Sequence, residues 1–246
     1  MKEPNDKLQE LVRRLQQACG KNLVSVVLYG SAASQDFDEQ YSDVNVLIVA
    51  GEIGSPAITA LTPVIEWWSR NEKIRPPMIL TLEELRDSAD VFAIELLDIQ
   101  HNHRTLYGED VISEIEVPMN LHRVEVEHEL RTTLLRLRQH LLLTPDNEDE
   151  LRAVLAKSIS SVLTLFRHAL ITVGENPPHA RPKLLEHVAE VFDVEVRPLR
   201  TILELRNDPH LEISVREHYH AYMNVVAKVT REVDRFVPKR KLQKLS

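Results

Sequence analysis

Residues Val26–Ala50 read VVLYGSAASQDFDEQYSDVNVLIVA. Two apolar runs flank a polar, acidic segment. The first run ends on Gly30-Ser31, and the second opens on Asp43-Val44-Asn45. Short β-branched runs bounded by turn residues predict buried strands. Glycine at the end of the first lets the backbone bend sharply and lets a ligand approach with no side chain in the way. The following SAASQD predicts the start of a short helix, whose free N–H groups and dipole favour an anion such as phosphate. Ser31 adds a hydroxyl donor. Alternation in the second strand puts residues 43 and 45 on one face and Val44 on the other. Two oxygen-bearing side chains then stand beside the bend. Mg²⁺ takes oxygen ligands and shares its shell with substrate phosphates. The plainer alternative is a strand–turn–strand with a capping serine and an exposed aspartate.

Around this segment the pattern mixes strands with helices. Leu8, Leu11, Val12 and Leu15 recur at helical spacing over residues 5–18, and Gly20 ends that helix. Strands are expected at Leu23–Tyr29, Val44–Ala50, Arg75–Thr81 and His103–Gly108, with Pro76 and Pro77 at a strand entrance where no donor is needed. Helices are expected over 57–70, after Thr81, and over 90–99. From about Pro118 the texture changes. Leu130, Leu134, Leu137 and Leu141 step along one helical face, and further helices are predicted over 151–173, 183–192, 196–206 and 213–236. Five of the six glycines precede residue 110, which places turns early and long helices late. The fold class is therefore an α+β N-terminal domain, a small mixed sheet flanked by helices, over residues 1–117, followed by an all-α helical bundle over residues 118–246.

The chain's 246 residues suffice for a substantial core, and its 43% apolar and 28% charged residues are ordinary for a globular protein. A net charge of −8 argues against a broad nucleic-acid surface. One cysteine, Cys19, leaves no internal disulfide and no cysteine-based zinc site. The opening MKEPNDKLQE lacks the apolar core of a signal peptide, and no run approaches the ~20 apolar residues of a membrane span. The expectation is a cytoplasmic protein with no membrane partner. The closing PKRKLQKLS is a basic cluster, read as a solvated terminus.

The segment YGSAASQDFDEQYSDVNVLIV resembles the nucleotidyltransferase superfamily with the polymerase-beta-type fold, and in particular the aminoglycoside nucleotidyltransferases. The family pattern is Gly-Ser, a spacer, then Asp-x-Asp on the next strand. The resemblance implies an Mg²⁺-dependent transfer of a nucleoside monophosphate from an NTP, ATP foremost, to a hydroxyl of a small-molecule or protein acceptor. It implies that Gly30 and Ser31 hold phosphate and that Asp43 is a metal ligand and catalytic residue. Asn45 falls where the family carries its second carboxylate. The family's third acid lies on the following strand, which here reads PPMILT. The resemblance therefore also admits a degenerate member that binds nucleotide or a protein partner without turnover. Asp90, Glu95 and Asp98 are candidates to replace the missing acid. His101 and His103 form a second, weaker metal-ligand pattern.

The helical half is similar to the bundles that accompany such transferases and to the HEPN-type bundle of toxin–antitoxin pairs. The ribonuclease spacing of Arg and His is not met by Arg206 and His210, and Arg181 with His187 sits in the wrong element, so ribonuclease activity is not expected. Arg167 and His168 are expected to face solvent or a cleft. Glu125, Glu127 and Glu129 are candidates for an acceptor-activating acid, with a charged helix surface as the alternative. A second copy of the chain is a further candidate partner.

Overall fold

A computed structural model of the chain describes residues 4–33, 44–71, 74–178 and 180–236. It packs as two units, Met1–Pro118 and Met119–Ser246.

The first unit is built on a four-stranded mixed sheet. Helix α1, Pro4–Cys19, leads through a short turn into β1, Leu23–Tyr29, and β2 follows at Asn45–Ala50. Helix α2, Ser55–Glu66, continues into a wide π-type turn over Trp67–Asn71. Strand β3 is Met78–Thr81, helix α3 Leu82–Asp87, helix α4 Ala93–His101 and strand β4 His103–Gly108. The strand order is β3-β2-β1-β4. β1 is antiparallel to both β2 and β4, and β2 is parallel to β3. β1 and β2 are central strands, which is why both read as nearly continuous apolar runs.

Alternation sorts the two central strands onto two cores. Val26, Leu28, Val46 and Ile48 face α1 and α2, packing with Leu8, Leu11, Leu15, Leu61, Val64 and Trp68. Val27, Leu47 and Val49 face the other way, onto Leu85, Leu96, Ile99 and Ile112. Trp68 is fully buried and its indole N–H donates to the Arg75 carbonyl at 3.0 Å, which pins the approach to β3. Thr81 starts α3 through a capping box with Glu84, so the expected helix start is observed. At the end of β4, Gly108 has φ +78°, and a Cβ there would lie 1.9 Å from the Val24 carbonyl oxygen; only glycine fits.

The second unit is five helices: α5 Met119–Leu143, α6 Glu148–Thr172, α7 Arg181–Phe192, α8 Arg197–Asn207 and α9 Val215–Arg235. Leu130, Leu134 and Leu137 are buried, so the leucine stripe of α5 is core rather than an outward assembly face. Helix α6 buries an apolar side along its whole length and touches α5, α7, α8 and α9. Its length and composition match a membrane span, yet half of its apolar window is buried inside the unit, as in a core helix.

Candidate functional site

The sheet ends in a row of three polar side chains. Tyr29 on β1 is level with Asn45 on β2 and with His103 on β4. Partners across a ladder point to the same side, so all three share the face of Val27, Leu47 and Val49. Immediately after Tyr29 the chain bends at Gly30, which has φ +77°. A Cβ on Gly30 would come within 3.2 Å of Asn45 Nδ2. The bend and the Asn45 side chain are thus neighbours, with no packed apolar residue between them. The Gly30 N–H donates to the Asn102 carbonyl at 2.9 Å, so it is already used within the fold. Ser31 lies in the single 3₁₀ turn Gly30–Ala33 that follows. Asp43, the spacer acids Asp36, Asp38 and Glu39, and the basic tail lie outside the described residues.

Tyr29 reports the charges around this row. Burial pushes its phenol above the ordinary value, the Glu95 carboxylate pushes it further, and Arg75 opposes them. Glu95 is exposed on the first turn of α4. Its charge acts on the Tyr29 phenol of this row. Strand β3 supplies none. In its parallel register Leu47 pairs with Met78, which sets Pro76 level with Asn45.

His103 is committed elsewhere. Its Nδ1 faces the Gln100 carbonyl at 3.3 Å and its Nε2 faces Asp110 Oδ1 at 3.2 Å. Asp110 also accepts the Ser113 hydroxyl at 2.6 Å, and that bond leads the causes that hold its carboxyl below the usual range. Both ring nitrogens of His103 are therefore occupied, and the His101–His103 metal pattern is not realised. Among the described residues no three His, Cys, Asp or Glu side chains cluster as a metal site of their own.

In the helical unit one expectation is overturned. His168 does not face solvent or a cleft. It is fully buried on α6, with its Nδ1 2.9 Å from His122 Nε2 on α5. His168 lies on the inward side of α6, among Leu165, Ala169 and Thr172, and its polar partner is therefore another buried side chain. Glu127 is structural as well. Desolvation raises its carboxyl, but hydrogen bonds from Arg131 at 2.8 Å and Arg123 at 2.9 Å outweigh it and hold the group below the usual range. His187 is bound to Glu175 at 3.1 Å. A grouping that the sequence did not reveal is basic. Burial lowers the Arg181 pKa, and the charges of Arg206 and Arg167 lower it further, so three guanidiniums from α6, α7 and α8 stand within reach of one another. Arg206 also donates to the Ser160 hydroxyl. Residues so far apart in sequence leave no local signature.

The chain is similar to a solved spectinomycin adenyltransferase, AAD(9) from Enterococcus faecialis, determined with ATP and spectinomycin. The TM-score is 0.53 at 15% identity, covering 90% of this chain and 99% of that one. At that identity the likeness carries the fold. No family profile matches the chain, and no curated protein matches it either.

Proposed function

We propose that this chain is a nucleotidyltransferase that binds an NTP, ATP foremost, beside the Gly30 bend and passes its nucleoside monophosphate to an acceptor hydroxyl. The observation that carries the reading is the juxtaposition of the Gly30 bend with the Asn45 side chain, at 3.2 Å from the absent Cβ. A side chain at residue 30 would fill the space a phosphate needs. The adenyltransferase whose fold the chain shares was solved with ATP, which supports the choice of nucleotide.

The donor chemistry fits one Mg²⁺ shared with the triphosphate. Asn45 offers an amide oxygen at the start of β2, and Asp43, two residues earlier in the sequence, is the carboxylate that the family pattern assigns to the metal; Mg²⁺ is commonly held by one or two carboxylates plus phosphates. Bound there, the ion supplies charge neutralisation at the phosphates. A second ion would lack support, because β3 presents no acid and Asn45 is neutral. In the reaction a bond forms between the acceptor oxygen and the α-phosphorus, the bond to the bridging oxygen breaks, and pyrophosphate leaves. The acceptor proton needs a base, and Glu95 is a carboxylate whose charge acts on the Tyr29 phenol of this row. The acceptor is a hydroxyl of a small molecule or of a protein.

A second reading has its own support. With Asn45 neutral and β3 without a carboxylate, the charge that steadies the attacking oxygen is reduced, so nucleotide binding can persist with little or no turnover. One experiment separates the two. The protein is incubated with α-labelled NTPs, Mg²⁺ and pools of hydroxylated acceptors, and labelled product and pyrophosphate are followed. Label in an acceptor supports the transferase. Saturable ATP binding without label supports the degenerate reading, and absence of ATP binding refutes both.

A further inference from the structure

We propose that the groove between α5 and α6 is a second ligand site, which takes the phosphate group of a small phosphorylated molecule. The groove lies wholly within the helical unit and encloses about 420 Å³, the scale of a small-molecule pocket. The proposal stands whether or not the transferase reading does.

Helical spacing builds the site. On α5, Thr133, Arg136 and His140 are three, then four residues apart and share one face; on α6, Val154, Lys157 and Ser161 have the same spacing, with Ser158 beside them three residues before Ser161. The groove thus has a cation on each wall, Arg136 opposite Lys157, with hydroxyls and an imidazole between them. Neither cation is neutralised among the described residues. Elsewhere in the unit Arg123 and Arg131 are held by Glu127, and Lys228 by Asp193.

The remaining contacts favour phosphate among anions. A phosphate monoester carries two charges at neutral pH and three acceptor oxygens, which matches two cations and hydroxyl donors. The Ser158 hydroxyl donates to the Leu155 carbonyl at 3.3 Å and lies 3.1 Å from the hydroxyl of the buried Tyr222, so it fixes the groove wall to the core and leaves Thr133 and Ser161 as the hydroxyl donors for a phosphate. The groove also has an apolar lining, from Leu137, Ala153 and Val154, which suits an organic group beyond the phosphate. Glu150 is the one carboxylate in the lining. It takes a hydrogen bond from Asn147 at 3.3 Å and repels an anion from the loop end, leaving the stretch between Arg136 and Lys157.

The test is an amide-resolved NMR titration of the full chain in EDTA, with inorganic phosphate and with phenyl phosphate. Saturable shifts are expected at Ala153, Ser158 and Ser161, with phenyl phosphate the tighter ligand. Arg136→Gln combined with Lys157→Gln is expected to weaken binding by at least about tenfold, the usual scale for a charged hydrogen bond. Arg138→Gln, an exposed neighbour outside the groove, is the control and leaves affinity unchanged. Arg136→Lys with Lys157→Arg keeps both charges and retains binding, which separates loss of the site from loss of the fold. The proposal is overturned by shifts that do not saturate, by shifts scattered over the surface, or by equal weakening in Arg138→Gln.

Discussion

Replacing Gly30 with alanine tests whether the bend and Asn45 form one site, and Gly20 supplies the control. Both glycines sit at positive φ, +77° and +53°. A side chain in that region costs about 1–2 kcal/mol. Around Gly20 nothing lies within 4 Å of the added Cβ, so Gly20→Ala carries the backbone cost alone. At Gly30 the Cβ meets Asn45 Nδ2 at 3.2 Å, and Asn45 must give by a few tenths of an ångström. Pushing that side chain off its rotamer adds roughly 0.5–1.5 kcal/mol. Gly30→Ala is therefore expected to lose about 2–3 kcal/mol in urea unfolding, against about 1–2 for Gly20→Ala. ATP titrations with Mg²⁺ are the functional half of the assay. Gly20→Ala is expected to keep wild-type affinity, and Gly30→Ala to lose at least about tenfold, as the methyl occupies phosphate space. Equal unfolding costs for the two variants, with ATP affinity intact in both, would refute the placement of a nucleotide against this bend.

Asn45→Asp restores a carboxylate beside the bend and is expected to tighten Mg²⁺-dependent ATP binding by at least about tenfold, with no change in EDTA, as read by titration calorimetry. Glu95→Gln is expected to let the Tyr29 phenol ionise at lower pH than in the wild type, because the Glu95 charge helps raise it; NMR of labelled tyrosine resolves this, and if turnover is present it falls in the same variant. In the helical unit, burial pushes Tyr219 up to about 12 and raises Tyr222 as well. Phenols raised on folding stabilise the protonated native state below their unfolded value near 10. That contribution is intact below about pH 10 and is lost as pH climbs through the folded values, so the urea midpoint of the bundle is expected to fall between about pH 10 and about pH 12.

Much of the fold was legible because burial wrote itself into simple patterns. β1 and β4 carry the bounds read from sequence, Leu23–Tyr29 and His103–Gly108. The leucines of α1 and Leu130, Leu134 and Leu137 of α5 face their cores as their spacing predicts, while Leu141 is only half-buried. Where the reading went astray, the cause was three-dimensional. From sequence His168 was expected to face solvent or a cleft. It is internal because α6 is packed against four other helices, a fact of assembly rather than of local pattern. Strand β3 is shorter than the apolar run suggests, since Pro76 and Pro77 carry no N–H for a ladder. At the candidate site, the Gly-Ser and the polar pair two residues apart were visible in one dimension. Three features were not. The hydrogen bonds that occupy His103, the charge of Glu95 on Tyr29 and the convergence of Arg167, Arg181 and Arg206 all depend on segments brought together from elsewhere in the chain.

The bond from the Gly30 amide to Asn102 ties the bend to the residue that introduces β4. β2 follows β1 closely in the chain, whereas β4 arrives about 80 residues after its partner, at a separation that makes pairing slow. The conformation of the turn is therefore completed by an outer strand, and fraying of that strand loosens the very place where a phosphate would rest. The sheet's late-joining margin works as a latch on its binding end, so a bound ligand and a docked β4 stabilise each other.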